Sequence, residues 1–417
     1  MQRSGLSPLV TQYLVPVVIL VGVLLAVEGI TAAVTVLRQF EVVELSFVRG
    51  WDTAQYQDYF DRLAKHKGAV YAYEVLETSR LPEDVDAHEI GHTIGWILYD
   101  EKGIAGMADC TPSFRNACAH ALVISAYIEQ GEAALPDIVK ACEQAPGGKG
   151  AYATCFHGIG HGILAYVDYN YEQAMQKCRE VRDLLKLDDS RATPNEVWNR
   201  CVEGATMELD LGTHDPKVWE QAKKVYFPES DLYMPCDAPY VDPQVRPMCY
   251  SYLTWRFLEE AGAVRGAPSP ETYPAAMAYC GAIEKPNERG GCYAGFGKNF
   301  IYLATLDERK ARTLSDAAMT NMTQWCRMAG TSEGEEACML AILNGMDLAN
   351  LAGANTAARF CGLQQEEGGV QDSCYMHLIY NSHYYFGGTG NLPTFCEGLP
   401  DTYRKVCISP TDSNYVF

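Results

Sequence analysis

Hydrophobic and polar positions divide this chain into a short apolar lead and a long repetitive body. Residues 13–37, YLVPVVILVGVLLAVEGITAAVTVL, are almost wholly apolar, and a run of that length suffices to cross a bilayer as a helix. Beyond it, short amphipathic stretches such as LPDIVKAC and NYEQAMQKC alternate with longer apolar ones such as CAHALVISAYIEQ, CFHGIGHGILAYV and CMLAILNGMDLAN. Both kinds carry helical periodicity, so the body is expected to be all-α.

The apolar lead predicts a transmembrane anchor. Only Arg3 supplies charge before it, and acidic Glu41, Glu44 and Asp52 outnumber basic Arg38 and Arg49 after it. That bias puts the N-terminus inside and the bulk of the chain in the periplasm or outside the cell. A signal peptide cleaved near Thr31-Ala32-Ala33 is the alternative. Gly22, Ala26, Gly29 and Ala33 form a stripe of small residues suited to close helix packing. Glu28 lies within the apolar run, where a carboxylate is costly. Either it sits near the membrane interface, or another membrane subunit contacts it.

The cysteines set the frame of the body. All sixteen follow residue 100 and fall into consecutive pairs: Cys110 with Cys118, Cys142 with Cys155, Cys178 with Cys201, and Cys236 with Cys249. Cys280 with Cys292, Cys326 with Cys338, Cys361 with Cys374, and Cys396 with Cys407 complete the set. The second members recur every 33 to 48 residues, a period typical of helix-pair arrays. Each pair is expected to be a disulfide joining the end of one helix to the start of the next. Metal–thiolate clusters are the alternative, but no C-x-x-C occurs. Disulfides in this number require an oxidising compartment.

The predicted organisation is a short cytoplasmic segment at 1–12, the anchor at 13–37 and juxtamembrane amphipathic helices at 38–85. A disulfide-stapled helical-repeat domain follows at 86–417. The expected architecture is an all-α helix-pair array, an α-solenoid or an α/α-toroid if it closes. Polar and Pro-rich stretches at 182–197 and 208–247 are expected to form loops on one rim.

The repeat register collects the polar residues. With Asp86 in the cysteine position, His88 and His92 fall two and six residues later. His157 and His161 stand in the same relation to Cys155, His120 takes the first slot after Cys118, and Glu203 takes it after Cys201. Residues four apart share a helix face. Four successive helices should therefore project His88, His92, His120, His157, His161 and Glu203 in one direction. Later repeats place Ser251, Ala294, Leu340 and Met376 at the first slot, which confines the polar layer to one arc. Imidazole pairs at this spacing suit zinc first, and copper, iron or nickel as well. Histidines buried only to hydrogen-bond one another are the plainer reading. The remaining histidines fit other roles: His66 solvated, His214 in a loop, His377 and His383 in an aromatic packing face.

The pentapeptide His88-Glu89-Ile90-Gly91-His92 resembles the H-E-x-x-H motif of the zincin metallopeptidases. That resemblance implies His88 and His92 as zinc ligands and Glu89 as the base that activates a metal-bound water. It covers five residues. The zincin β-sheet and downstream third-ligand motif have no counterpart here, so a third ligand would come from His120, His157, His161 or Glu203. Gly91, Gly95, Gly158, Gly160 and Gly162 flank the histidines. Such faces could admit a flat group, which leaves bis-histidine haem as a minor alternative, or they could serve helix contact.

Charge excludes one class of partner. The net charge of −20 and pI near 4.9 lack the clustered Lys and Arg that nucleic-acid backbones demand. The expected function is thus a membrane-anchored protein with a histidine-rich metal site, catalysing metal-assisted hydrolysis if it is an enzyme. A non-catalytic scaffold or accessory subunit of a membrane complex is the alternative.

Overall fold

A computed structural model of the chain describes residues 51–79, 81, 85–111, 113–145, 148–184, 192–212, 216–264, 268–304, 314–346, 348, 351–364, 369–386 and 390–408. The expected anchor at 13–37, Glu28 and His214 lie outside the described residues. Among those described, no helix is long and apolar enough to cross a membrane.

The described chain is all-helical, with no strand among the described residues. Its first half comprises α1 (Thr53–Lys67), α2 (Ala69–Thr78), α3 (Ala87–Lys102), α4 (Ser113–Gln130), α5 (Leu135–Gln144), α6 (Gly148–Tyr166), α7 (Tyr171–Leu184), α8 (Pro194–Leu211) and α9 (Pro216–Tyr226). Its second half comprises α10 (Arg246–Tyr250), α11 (Thr254–Glu260), α12 (Tyr273–Gly281), α13 (Pro286–Ala304), α14 (Asp316–Arg327), α15 (Ser332–Asn344), α16 (Leu351–Gly362), α17 (Val370–Phe386), α18 (Asn391–Glu397) and α19 (Asp401–Ile408).

Caps explain several of these boundaries. Asp52 and Gln55 form a reciprocal capping box at the start of α1. Asp86 accepts from the amides of His88 and Glu89 and so opens α3. Thr193 caps α8, Pro194 occupies its first turn, and Gly212 ends it in the left-handed region at φ 66°.

All eight expected cysteine pairs are disulfides, and no described cysteine is free. Their number marks an oxidising, extracytoplasmic environment. The second cysteine of each pair lies inside its helix rather than at the start. Cys118, Cys155, Cys201, Cys292, Cys338 and Cys374 all follow a preceding turn of α4, α6, α8, α13, α15 and α17. The stretches expected to be loops are also more helical than their composition suggests. Residues 194–211 are continuous helix and 216–226 form a short amphipathic one, and among the described residues a run of turns follows Tyr226.

α3 and the first seven helices that carry a second cysteine pack in sequence. α3 lies on α4, and α4 on α6. From there contacts run α6 to α8, α8 to α10, α10 to α13, α13 to α15 and α15 to α17, and α17 returns to α6. Close approach needs glycine at the crossings. A Cβ on Gly160 of α6 would overlap the Cys201 carbonyl of α8, and one on Gly204 of α8 would overlap the His157 carbonyl of α6. Gly297 meets the Cys338 carbonyl in the same way. One continuous buried core of aliphatic, aromatic and cystine side chains runs through these helices.

Candidate metal centre

His88, His92, His120, His157 and His161 form one buried layer, each between 3% and 8% exposed. Ring centroids of His88 and His92 on α3 lie 4.4 Å apart. His120 on α4 stands 6.0 and 6.1 Å from them. On its other side, His120 lies 5.3 Å from His157 and 6.3 Å from His161, both on α6. The helical spacing of four residues and the glycine-mediated crossings thus converge the imidazoles as expected.

His88, His92 and His120 each offer a ring nitrogen within 4.8 Å of the others, so this group could hold a metal ion. Its geometry is prepared in part. His88 Nδ1 lies 2.6 Å from the carbonyl oxygen of Phe114. A carbonyl only accepts, so Nδ1 carries the proton and Nε2 keeps the lone pair that a metal needs. Phe114 itself holds φ at 53°, in the left-handed region, and Asn116 does so at 60°, a cost that such residues bear where a site fixes the backbone. His120 Nε2 is buried with no hydrogen-bond partner. Burial, followed by the surrounding histidines, holds His120 well below the ordinary range, in the neutral form that ligates metals.

His157 and His161 meet Nε2 to Nε2 at 3.1 Å. His161 Nδ1 donates to Glu208 Oε2 at 3.0 Å, and the Tyr169 hydroxyl donates to Glu208 Oε1. Burial depresses His157 to about 4, against the opposing pull of Glu203. Glu203 itself stands 3.7 Å from His157 Nδ1. Its carboxylate also accepts from Arg200 at 2.8 Å, Lys298 at 2.6 Å and the Tyr252 hydroxyl at 3.3 Å. Burial alone would raise Glu203, but Lys298 and Arg200 outweigh it and hold the carboxyl well below its usual range. Glu203 therefore stands behind the histidines, engaged by cations, rather than facing the His88–His92–His120 group.

Glu89, the residue that the zincin resemblance makes a base, is half-buried on α3 next to His88. The glycines beside the histidines face neighbouring helices. Gly91 meets Ala117, Gly95 meets Ala121 and Cys118, and Gly162 meets Tyr127. These contacts fill the faces on which the haem alternative relied.

Sequence reasoning did not single out Glu208, Tyr169, Arg200 or Lys298. The available signal for Glu208 was its helix, CVEGATMELDLG, where Glu208 and Asp210 sit in an apolar context. Both are buried. The other histidines lie apart: His66 is exposed, His377 contacts Asn344 at 3.3 Å and His383 the Cys407 carbonyl at 2.9 Å. Tyr375 stacks on Tyr403 in that region.

No protein-family model, curated protein or solved structure matches this chain.

Proposed function

We propose that this chain is an extracytoplasmic metalloprotein whose centre is one transition-metal ion held by His88, His92 and His120, zinc foremost and copper or iron as alternatives. The observation that carries this reading is the convergence of three buried imidazoles with the His120 Nε2 unpartnered. Buried polar atoms without partners are rare, and a metal ion satisfies this one. The host is a helix-pair repeat array, and the return of α17 to α6 supports a toroid over an open solenoid. Residues 13–37 anchor it in the membrane, where Glu28 can meet another subunit.

Three histidines leave one position of a tetrahedral ion open to water. Glu89 is then the base for metal-assisted hydrolysis, as the H-E-x-x-H resemblance implies. A second reading draws on the burial of all three ligands: a fourth protein ligand closes the centre, and the protein is a scaffold or accessory subunit.

The test is elemental analysis of the full chain purified without chelator, followed by cobalt substitution and addition of azide. A stoichiometric metal lost in His120→Ala supports the centre. An azide-induced change in the cobalt spectrum, with ester or peptide hydrolysis lost in Glu89→Gln while metal is retained, supports the enzyme. A spectrum indifferent to azide supports the scaffold, and a metal-free folded chain rejects both.

A further inference from the structure

We propose that His157 and His161 form a second metal position beside the first, so that the histidine layer binds a pair of transition-metal ions. This extends the reading of His88, His92 and His120 as a metal centre, and it stands on a different observation.

That observation is the direct approach of two ring nitrogens whose opposite sides face carboxylates. His161 Nδ1 lies 3.0 Å from Glu208 Oε2. Glu208 accepts from Tyr169 at its other oxygen and is the acceptor here as well, which sets the proton of His161 on Nδ1 and leaves a lone pair on its Nε2. His157 Nδ1 faces Glu203 at 3.7 Å, which favours the same tautomer. The two Nε2 atoms, 3.1 Å apart, then point lone pair at lone pair. A cation between them turns that repulsion into ligation. Two nitrogens bound to one zinc ion at 2.0–2.1 Å in tetrahedral geometry stand about 3.3–3.4 Å apart, close to the separation found.

The surroundings have the form that metal-bound histidines require. A ligating imidazole usually donates its other nitrogen to a carboxylate, which orients the ring and raises its basicity. Glu208 does this for His161 and is itself fixed by Tyr169. It is 0% exposed, and a fully buried carboxylate is best compensated by positive charge nearby. Ligand number points the same way. Five imidazoles exceed the four that one tetrahedral ion accepts. His120 lies between the two groups and can serve either ion.

The experiment is a cobalt and zinc titration of the chelator-stripped full chain, with bound metal counted by elemental analysis. Two ions per chain are expected. His157→Ala and His161→Ala should each bind one and keep the cobalt absorption of the first position, whereas His88→Ala should bind one and keep that of the second. Glu208→Gln retains the side-chain shape. It should weaken the second ion by 10- to 100-fold and leave the first unchanged, with helical circular dichroism intact. One ion lost equally in His88→Ala and His157→Ala would mean a single shared centre and overturn the pair. One ion indifferent to His157 and His161 would mean that these two share a proton, and would also overturn it. One ion lost only with His157 or His161 would keep the proposed position and reject the first centre. A chain that binds no ion would reject both.

Discussion

His161 and Glu208 are joined by a 3.0 Å contact between α6 and α8 in which neither residue is more than 4% exposed. A buried carboxylate is tolerable only when its oxygens are satisfied. Tyr169 satisfies the second oxygen. Tyr169→Phe removes that donor and little volume. It is expected to destabilise the fold by about 1–3 kcal/mol, the cost of removing a hydrogen bond to a buried carboxylate. Urea unfolding of the disulfide-intact protein measures this, and an unchanged midpoint would show that water replaces the hydroxyl.

The crossing of α6 and α8 allows a comparison within one helix. A Cβ on Gly160 would run into the backbone of α8, whereas one on Gly158 would meet His120 and Val123 at 3.4 Å, an ordinary contact. Gly160→Ala is expected to cost about 1–3 kcal/mol through overpacking. Gly158→Ala should be neutral or stabilising by up to about 1 kcal/mol, because alanine favours helix over glycine. Thermal unfolding of the two variants should separate them by several degrees. Equal loss at both positions would mean that α6 needs glycine for reasons other than this approach.

Much of this arrangement was legible in the chain because it follows from register. The spacing of the cysteines predicts all eight disulfides, and the two-and-six offsets put His88, His92, His157 and His161 on common faces. His120 followed from the same alignment. What register could not supply is the partner across a helix interface. Glu208 meets His161 only because Gly160 and Gly204 bring two backbones together, and that distance is tertiary. Glu203 follows from the same register, but the approach of Lys298, 95 residues on in the chain, decides what its carboxylate meets. The helicity of 194–211 and 216–226 was hidden by Pro194 and Pro216, which begin helices rather than break them.

Acid should unfold the metal-free protein in a defined window. Burial lowers His157 from its ordinary 6.5 to about 4, and His120 shifts in the same direction. As pH falls through 6.5 the unfolded chain takes up these protons first, so stability declines until the folded histidines also titrate, near 4 for His157. Glu203, held below its ordinary 4.5, adds a loss of the same sign below that value. For His157 alone the decline is on the order of 3 kcal/mol between pH 6.5 and 4. Urea midpoints across pH 3–8 with chelator present should trace it, with a plateau above 6.5. A flat profile between 7 and 5 would contradict buried neutral imidazoles.

The disulfides also bear on the site, because each of three second cysteines lies two residues before a site residue. Cys118 precedes His120, Cys155 precedes His157 and Cys201 precedes Glu203. Their partners Cys110, Cys142 and Cys178 tie these positions to the preceding elements. α3 has no such staple and relies on the Asp86 cap before His88. Losing a staple should therefore both destabilise the fold and loosen ligand geometry. The loops closed differ, with sequence separations of 8 for Cys110–Cys118 and 23 for Cys178–Cys201. Chain entropy makes the longer worth more by about 1 kcal/mol. Paired Cys→Ala variants of the two should differ in that order on urea unfolding. Reduction with a phosphine, which unlike a dithiol offers no thiolate to compete for zinc, should release bound metal in parallel with loss of helical circular dichroism. Metal retained in fully reduced, unfolded protein would place the binding on exposed thiolates instead of the histidine layer.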